Sequence, residues 1–178
     1  MNFLLTVLGA WLLADFISGV VHWWEDRAIV GTSRFEFINS VRADNEIHHL
    51  KPGHLLTHSY WGNINTTAPA SWAIALGLVL IGSPLIFILT SLFMGFGNLI
   101  HRFAHTPPGK IPRIIRALQE LGLFSSPSHH SGHHFRGRGE LVSRNTAEIR
   151  YCVMSDWLNP WLDKIKFFNF LNKLLEVR

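Results

Sequence analysis

A single cysteine, Cys152, stands among 178 residues. That excludes an internal disulfide and any zinc site built from thiolates, which leaves histidine and carboxylate as the side chains able to ligate a metal. Charge is scarce too: 16% of residues are charged, 48% are hydrophobic, and the mean hydropathy is +0.18. A soluble domain has about 25% charged residues, so this composition points to a bilayer. No flavin, haem or iron–sulfur motif is present, and no nucleic-acid motif accompanies the sequence pI near 9.6. The basic residues lie beside membrane-adjacent segments, which favours lipid over nucleic acid as their partner.

The long apolar runs are two. Residues 3–24, FLLTVLGAWLLADFISGVVHWW, are interrupted only by Asp15 and His22. They are long enough as a helix to cross a hydrocarbon core of ~30 Å. No basic residue precedes the run and no small-residue cleavage site follows it, which favours a span over a cleaved signal peptide. Residues 66–100 carry no charge at all. One helix of that length would reach ~50 Å, so the Gly82-Ser83-Pro84 break predicts a tight hairpin with spans at 66–82 and 85–103. The expected fold is therefore an all-α integral membrane protein, one domain over 1–178 with about three transmembrane helices. All 16 lysines and arginines fall on one side of this arrangement, which the positive-inside rule makes the cytoplasm. The stretches 111–124 and 161–178 have helical apolar spacing and carry Arg113, Arg116, Lys164, Lys166 and Lys173, as interfacial helices on anionic lipid do.

Eleven histidines remain to be placed. His22 closes the first span; His48, His49, His54 and His58 follow it; His101 and His105 leave the third span; His129, His130, His133 and His134 come after. All collect on one membrane face. Four pairs, His54/His58, His101/His105, His129/His133 and His130/His134, are spaced i,i+4, which on a helix points two imidazoles at one ion. A zinc site uses four ligands, or three and a water, so this many imidazoles imply two ions. Imidazole suits iron, zinc, copper and nickel alike. The membrane setting favours iron, which can activate dioxygen against a hydrocarbon chain.

Five stretches in order, "ADFISGVVHWWED", "HHLKPGHLLTH", "NLIHRFAHT", "SPSHHSGHH" and "YCVMSDWLNPWLD", span Ala14 to Asp163. Together they resemble the Kua-type lipid desaturases, the family of plasmanylethanolamine desaturase and its carotenogenesis-linked bacterial relatives. The HHxxHH element is shared with other membrane desaturases and hydroxylases, whereas the ordered set is more specific. The resemblance implies a membrane di-iron desaturase that uses O2 as co-substrate and places a double bond in a phospholipid-linked chain. It implies His22, His48, His49, His58, His101, His105, His129, His130, His133 and His134 as metal ligands, with one or two of them supporting the others. His54 falls where the family pattern has no histidine. Electrons must come from an external donor of the cytochrome or ferredoxin type; Arg136 and Arg138 either give such an acidic protein, or a lipid phosphate, a docking point or belong to a solvated loop.

Three polar neighbours stand out. Asp15, inside an apolar run, and Asp26, one turn beyond His22, are each placed to accept a hydrogen bond from a ligand histidine. Asn98 precedes His101 by three and either approaches the metal or bonds a neighbouring helix. The stretch "RAIVGTSRFEFINSVRADNE" departs from the family pattern, and Gly62 stands where an acidic residue is expected. Both lie near the substrate's path, so the substrate stays open between a 1-O-alkyl phospholipid converted to a vinyl ether and an ester-linked acyl chain. A hydroxylase with the same metal chemistry and a non-enzymatic metal-binding membrane protein are the competing readings.

Overall fold

The computed structural model describes residues 2–28, 32–136, 140–141 and 150–176, and these are helical almost throughout. Arg138 and the side chain of Arg136 lie outside the described residues. Helix α1 (Phe3–Trp23) starts at Asn2, whose side chain accepts a hydrogen bond from Leu4 N at 3.0 Å, and continues through a wide π turn at Trp24–Ala28. Helix α2 (Glu36–Leu50) and a 3-10 turn (Pro52–Thr57) lead to α3 (Tyr60–Leu80), capped by Ser59 Oγ. The expected hairpin tip follows. Gly82 adopts φ +68°, a conformation open to glycine, Ser83 N donates to Leu78 O at 2.9 Å, and α4 (Leu85–Met94) begins after Pro84. Helix α5 (Gly97–His105) continues α4 at a 45° bend.

Helix α4 packs against both α1 and α3. The contacts are made by hydroxyls: Thr90 Oγ1 donates to Ala10 O at 3.3 Å, Ser91 Oγ to Ser71 O at 2.7 Å and Thr67 Oγ1 to Gly95 O at 2.9 Å. Ala10, Ala14, Ala68 and Ala75 are buried between the helices, whereas Leu4, Leu80 and Ile81 are more than 70% exposed. Small residues inside and large apolar ones outside reverse the order of a water-soluble core and suit helices surrounded by lipid. Among the described residues, one helix is long and apolar enough to cross a membrane, Phe3–Arg27; the bent pair Leu85–Met94 and Gly97–His105 counts as a second if taken as one span. Helix α3 falls short of that measure. It ends at Leu80, so residues 66–80 of the run expected at 66–82 are helical, and the turns before them carry Asn63 and Asn65.

The rest of the chain closes over one end of these helices. Helix α6 (Arg113–Glu120) and helix α7 (Pro127–His134) are followed by a two-stranded hairpin, β1 (Phe135–Arg136) with β2 (Glu140–Leu141), in which Phe135 pairs with Leu141. Helices α8 (Asn159–Lys164) and α9 (Phe167–Glu176) are separated by Lys166 at φ +54°. The two expected interfacial helices are thus shorter than their apolar patterns, one of them broken in two. Ile114, Leu121, Trp161, Ile165, Phe170 and Leu174 remain exposed along them.

The segment Tyr151–Ser155 is buried at every residue. It can approach α1 because Gly19 has no side chain: a Cβ there would lie 2.6 Å from Cys152 Sγ and 3.1 Å from Cys152 N. Asp15 secures the contact. Its carboxylate accepts from Met154 N at 3.0 Å, Ser155 N at 3.1 Å and Ser155 Oγ at 2.6 Å. This buried acid therefore supports backbone, where the sequence had suggested a histidine as its partner.

Candidate metal centre

Four segments send histidines into one buried volume. Helix α1 and its π turn supply His22 and Asp26, α2 supplies His48 and His49, α5 supplies His101 and His105, and α7 supplies His130, His133 and His134. They form two groups. In the first, His48, His101, His105, His130 and His134 each offer a ligand atom within 4.8 Å of all the others; in the second, His22, Asp26, His49 and His133 do so. The groups adjoin, with ring centroids of His49 and His134 4.8 Å apart and those of His22 and His101 5.4 Å apart.

Within the first group the Nε2 atoms face one another directly. His101 and His130 are 2.8 Å apart, His130 and His134 3.0 Å, and His101 and His105 3.1 Å. Nitrogens bound at ~2.1 Å to one ion, at right angles, lie ~3 Å apart, so the spacing suits a shared cation. Both nitrogens of buried His48 and Nε2 of buried His22 have no hydrogen-bond partner among the described residues. Burial, and the neighbouring histidines after it, push His48, His130 and His134 well below their ordinary value, so these rings stay neutral and keep a lone pair for a metal. Five imidazoles exceed a zinc site's usual complement. The donor set fits two metal ions and leaves their identity open.

The second group is organised by Asp26, which is fully buried. Its Oδ1 accepts from Asn45 Nδ2 at 2.7 Å. Its Oδ2 lies 3.1 Å from His49 Nε2, 3.2 Å from His133 Nε2 and 3.7 Å from His22 Nε2. The π turn brings this carboxylate back towards His22, as such turns often do at functional sites. His22 Nδ1–H donates to the carbonyl of Tyr151 at 3.2 Å. A carbonyl can only accept, so the proton sits on Nδ1 and Nε2 is left bare towards the group.

Two expected ligands stand apart. His58 is exposed and stacks edge-on against His54, with centroids 5.2 Å apart. His129 accepts from Asn159 Nδ2 at Nε2, 3.0 Å, and turns Nδ1 towards Asp156 Oδ1 at 3.9 Å. Burial also holds its ring below the ordinary histidine value. Asn98 takes the helix–helix role, donating from Nδ2 to Thr66 Oγ1 at 2.7 Å. Asn45, Tyr151 and Asn159 were not singled out in the sequence. Asn45 carried a signal, since it precedes His49 by four on one helix face; the Tyr151 contribution is a backbone carbonyl and carried none.

Helix α7 is aimed from its amino end. Ser126 Oγ accepts from His129 N at 3.2 Å and donates to Asp156 Oδ2 at 2.6 Å, and Pro127 occupies the first turn. Arg150 donates to His129 O at 2.7 Å and lies across Gly132, where a Cβ would strike its guanidinium.

A cavity of about 410 Å³ opens on this centre, lined by His22 from the second group and His48 and His101 from the first. Its lining also includes the polar Asp44, His54, His58 and Ser71 and the apolar Met94 and Val153.

The lipid desaturase domain matches residues 11–178. The chain belongs to this family. Within it, the probable fatty acid desaturase of Acanthamoeba polyphaga mimivirus is 28% identical over 184 residues, 98% of this chain and 82% of the relative. Plasmanylethanolamine desaturase 1 of Mus musculus is 29% identical over 196 residues, 97% of this chain and 65% of the relative. The chloroplastic fatty acid desaturase 4-like 2 of Arabidopsis thaliana is 28% identical over 172 residues, 94% of this chain and 58% of the relative. The chain thus spans less than two thirds of the plant and animal relatives. No solved structure matches it. For a lipid desaturase family, the paired histidine clusters beside a cavity are the feature to be explained.

Proposed function

We propose that the protein is an O2-dependent, non-haem di-iron lipid desaturase that introduces a double bond into a phospholipid-linked chain. The observation that carries this reading is the cavity of about 410 Å³ against which both histidine groups stand. His48, His101, His105, His130 and His134 would hold one iron, and His22, Asp26, His49 and His133 the other. When bound, the irons supply the O2-dependent removal of two hydrogens from adjacent chain atoms.

The residues of this chain do the positioning. Asn45 steadies Asp26, and the Tyr151 carbonyl holds the His22 ring in one orientation and one tautomer. His54, His58 and Asp44 make a polar mouth for the head group, and the apolar far end receives the chain and excludes water. His58 and His129, outside both groups, would act at the mouth and on the aim of α7 respectively. Electrons come from a separate redox protein.

We place the centre on the cytoplasmic face of three spans at about 3–24, 66–82 and 85–103, on the strength of the one-sided basic residues and the outward-facing leucines. The preferred substrate is a 1-O-alkyl phospholipid converted to its vinyl ether, because relatives in Mus musculus and Myxococcus xanthus carry the name plasmanylethanolamine desaturase. An ester-linked acyl chain is the second reading, favoured by the viral and plant relatives' names.

Detergent-purified protein expressed with abundant iron should contain about two irons per chain without a haem band, and cells making it should accumulate one new unsaturated lipid class. Zinc alone, with no change in the lipids, would overturn the reading; vinyl ether or acyl unsaturation in the product separates the two substrates.

A further inference from the structure

Several of the described glycines have visible reasons, and one buried glycine has none. Gly82 and Gly122 adopt positive φ, and Gly19, Gly95 and Gly132 are in contact with Cys152, Trp72 and Arg150, so a Cβ at any of these meets strain or collision. Gly53, Gly77 and Gly109 have room for a side chain but are exposed. Gly97 is buried, has no positive φ, and a Cβ built on it meets nothing within 4 Å. Among the described glycines it alone combines burial with empty space. Neither a positive φ nor close packing calls for glycine there, at the first residue of α5.

The space itself is the remaining explanation. Gly97 lines the cavity and lies one helical turn before His101, on the same face. In the chain it stands between Met94 and His101, and all three line the same cavity. Helices α1 and α3 contribute Ser18, Thr67 and Ser71 to the same lining, and these too are small. We propose that Gly97 is a specificity-determining residue: its missing side chain keeps open the passage by which the lipid chain extends past the metal centre. This rests on the desaturase reading, and it adds where chain length is selected. A larger residue at 97 narrows the passage from the α5 side, so a long chain no longer reaches the far end while a short one stops before it.

The test is a graded series, Gly97→Ala, Gly97→Val and Gly97→Leu, with Gly77→Leu as the exposed control. Each is given a matched pair of phospholipids that differ only in the length of the reacting chain. The long-to-short ratio of kcat/KM should fall stepwise through the series, by roughly 10-fold or more at leucine, with iron content unchanged, and should stay level in Gly77→Leu. A level ratio throughout the Gly97 series, in folded proteins with full iron, overturns the inference. If the unsubstituted protein turns over neither lipid, the desaturase reading fails, and the inference is read from lipid retention in native mass spectrometry. Loss of the long lipid alone across the series then supports it, and equal retention overturns it.

Discussion

Asp26 is a single carboxylate against which three imidazoles converge, and the Asn45 amide holds its Oδ1 at 2.7 Å. Removing that amide in Asn45→Ala takes from Oδ1 its shortest hydrogen bond and loosens the carboxylate's orientation. Metal affinity should fall by about 10- to 100-fold, as for other residues that orient ligands, which competition with a graded chelator would measure. His101→Ala and His130→Ala each remove an imidazole at the point where the Nε2 contacts are shortest. Desaturation should be lost in both, with metal content reduced while the chain still inserts. His58→Ala should keep its full metal complement by elemental analysis, because His58 stands outside both groups. Metal loss in that variant would return His58 to the ligand set that the family pattern implied.

At the scale of elements, the aim of α7 decides whether three of its histidines reach the centre. Ser126→Ala removes the cap that joins α7 to Asp156 and should cost about 1 kcal/mol, seen as a lower thermal midpoint and faster metal release. The approach of α1 to the 151–155 segment is equally exacting. Gly19→Val would force Cys152 and its backbone away from α1, and destabilisation of about 1–3 kcal/mol is expected from denaturant titration. Helix α1 and the Gly82 turn were legible in the sequence, since an unbroken apolar run and a Gly-Ser-Pro break are local signals. The bend between α4 and α5 was not, because no proline or charge marks it. The partner of Asp15 was also hidden: a buried acid announces that it needs donors, but these came from backbone about 140 positions away.

For the molecule as a whole, the centre brings together rings whose neutrality is enforced by burial. His48, His130 and His134 are held below the ordinary histidine value of 6.5. Above that pH folded and unfolded chains are both neutral at these positions. Below it the unfolded chain takes up protons that the folded one refuses, so stability falls as pH falls. Metal-stripped protein should therefore melt at progressively lower temperature from pH 7 to pH 5.5, and metal should restore much of the loss, because bound ions compete with those same protons. A thermal midpoint that did not move over this range would contradict the burial of neutral histidines.

The sequence by itself determined the chemistry available and the broad architecture: too little cysteine for thiolate sites, too little charge for a soluble surface, and enough histidine for two ions. These follow from composition and local spacing, which need no knowledge of distant contacts. Tertiary structure decided which histidines meet. The spacing of His129 from His133 equals that of His130 from His134, yet only the latter pair turns inward, because Asn159 and Asp156 hold His129 outward. It decided, too, that Asp26 joins the centre while Asp15 anchors backbone, and that Gly97 faces an opening. Each of these depends on what another segment places opposite the residue, and that is set by packing across the whole chain.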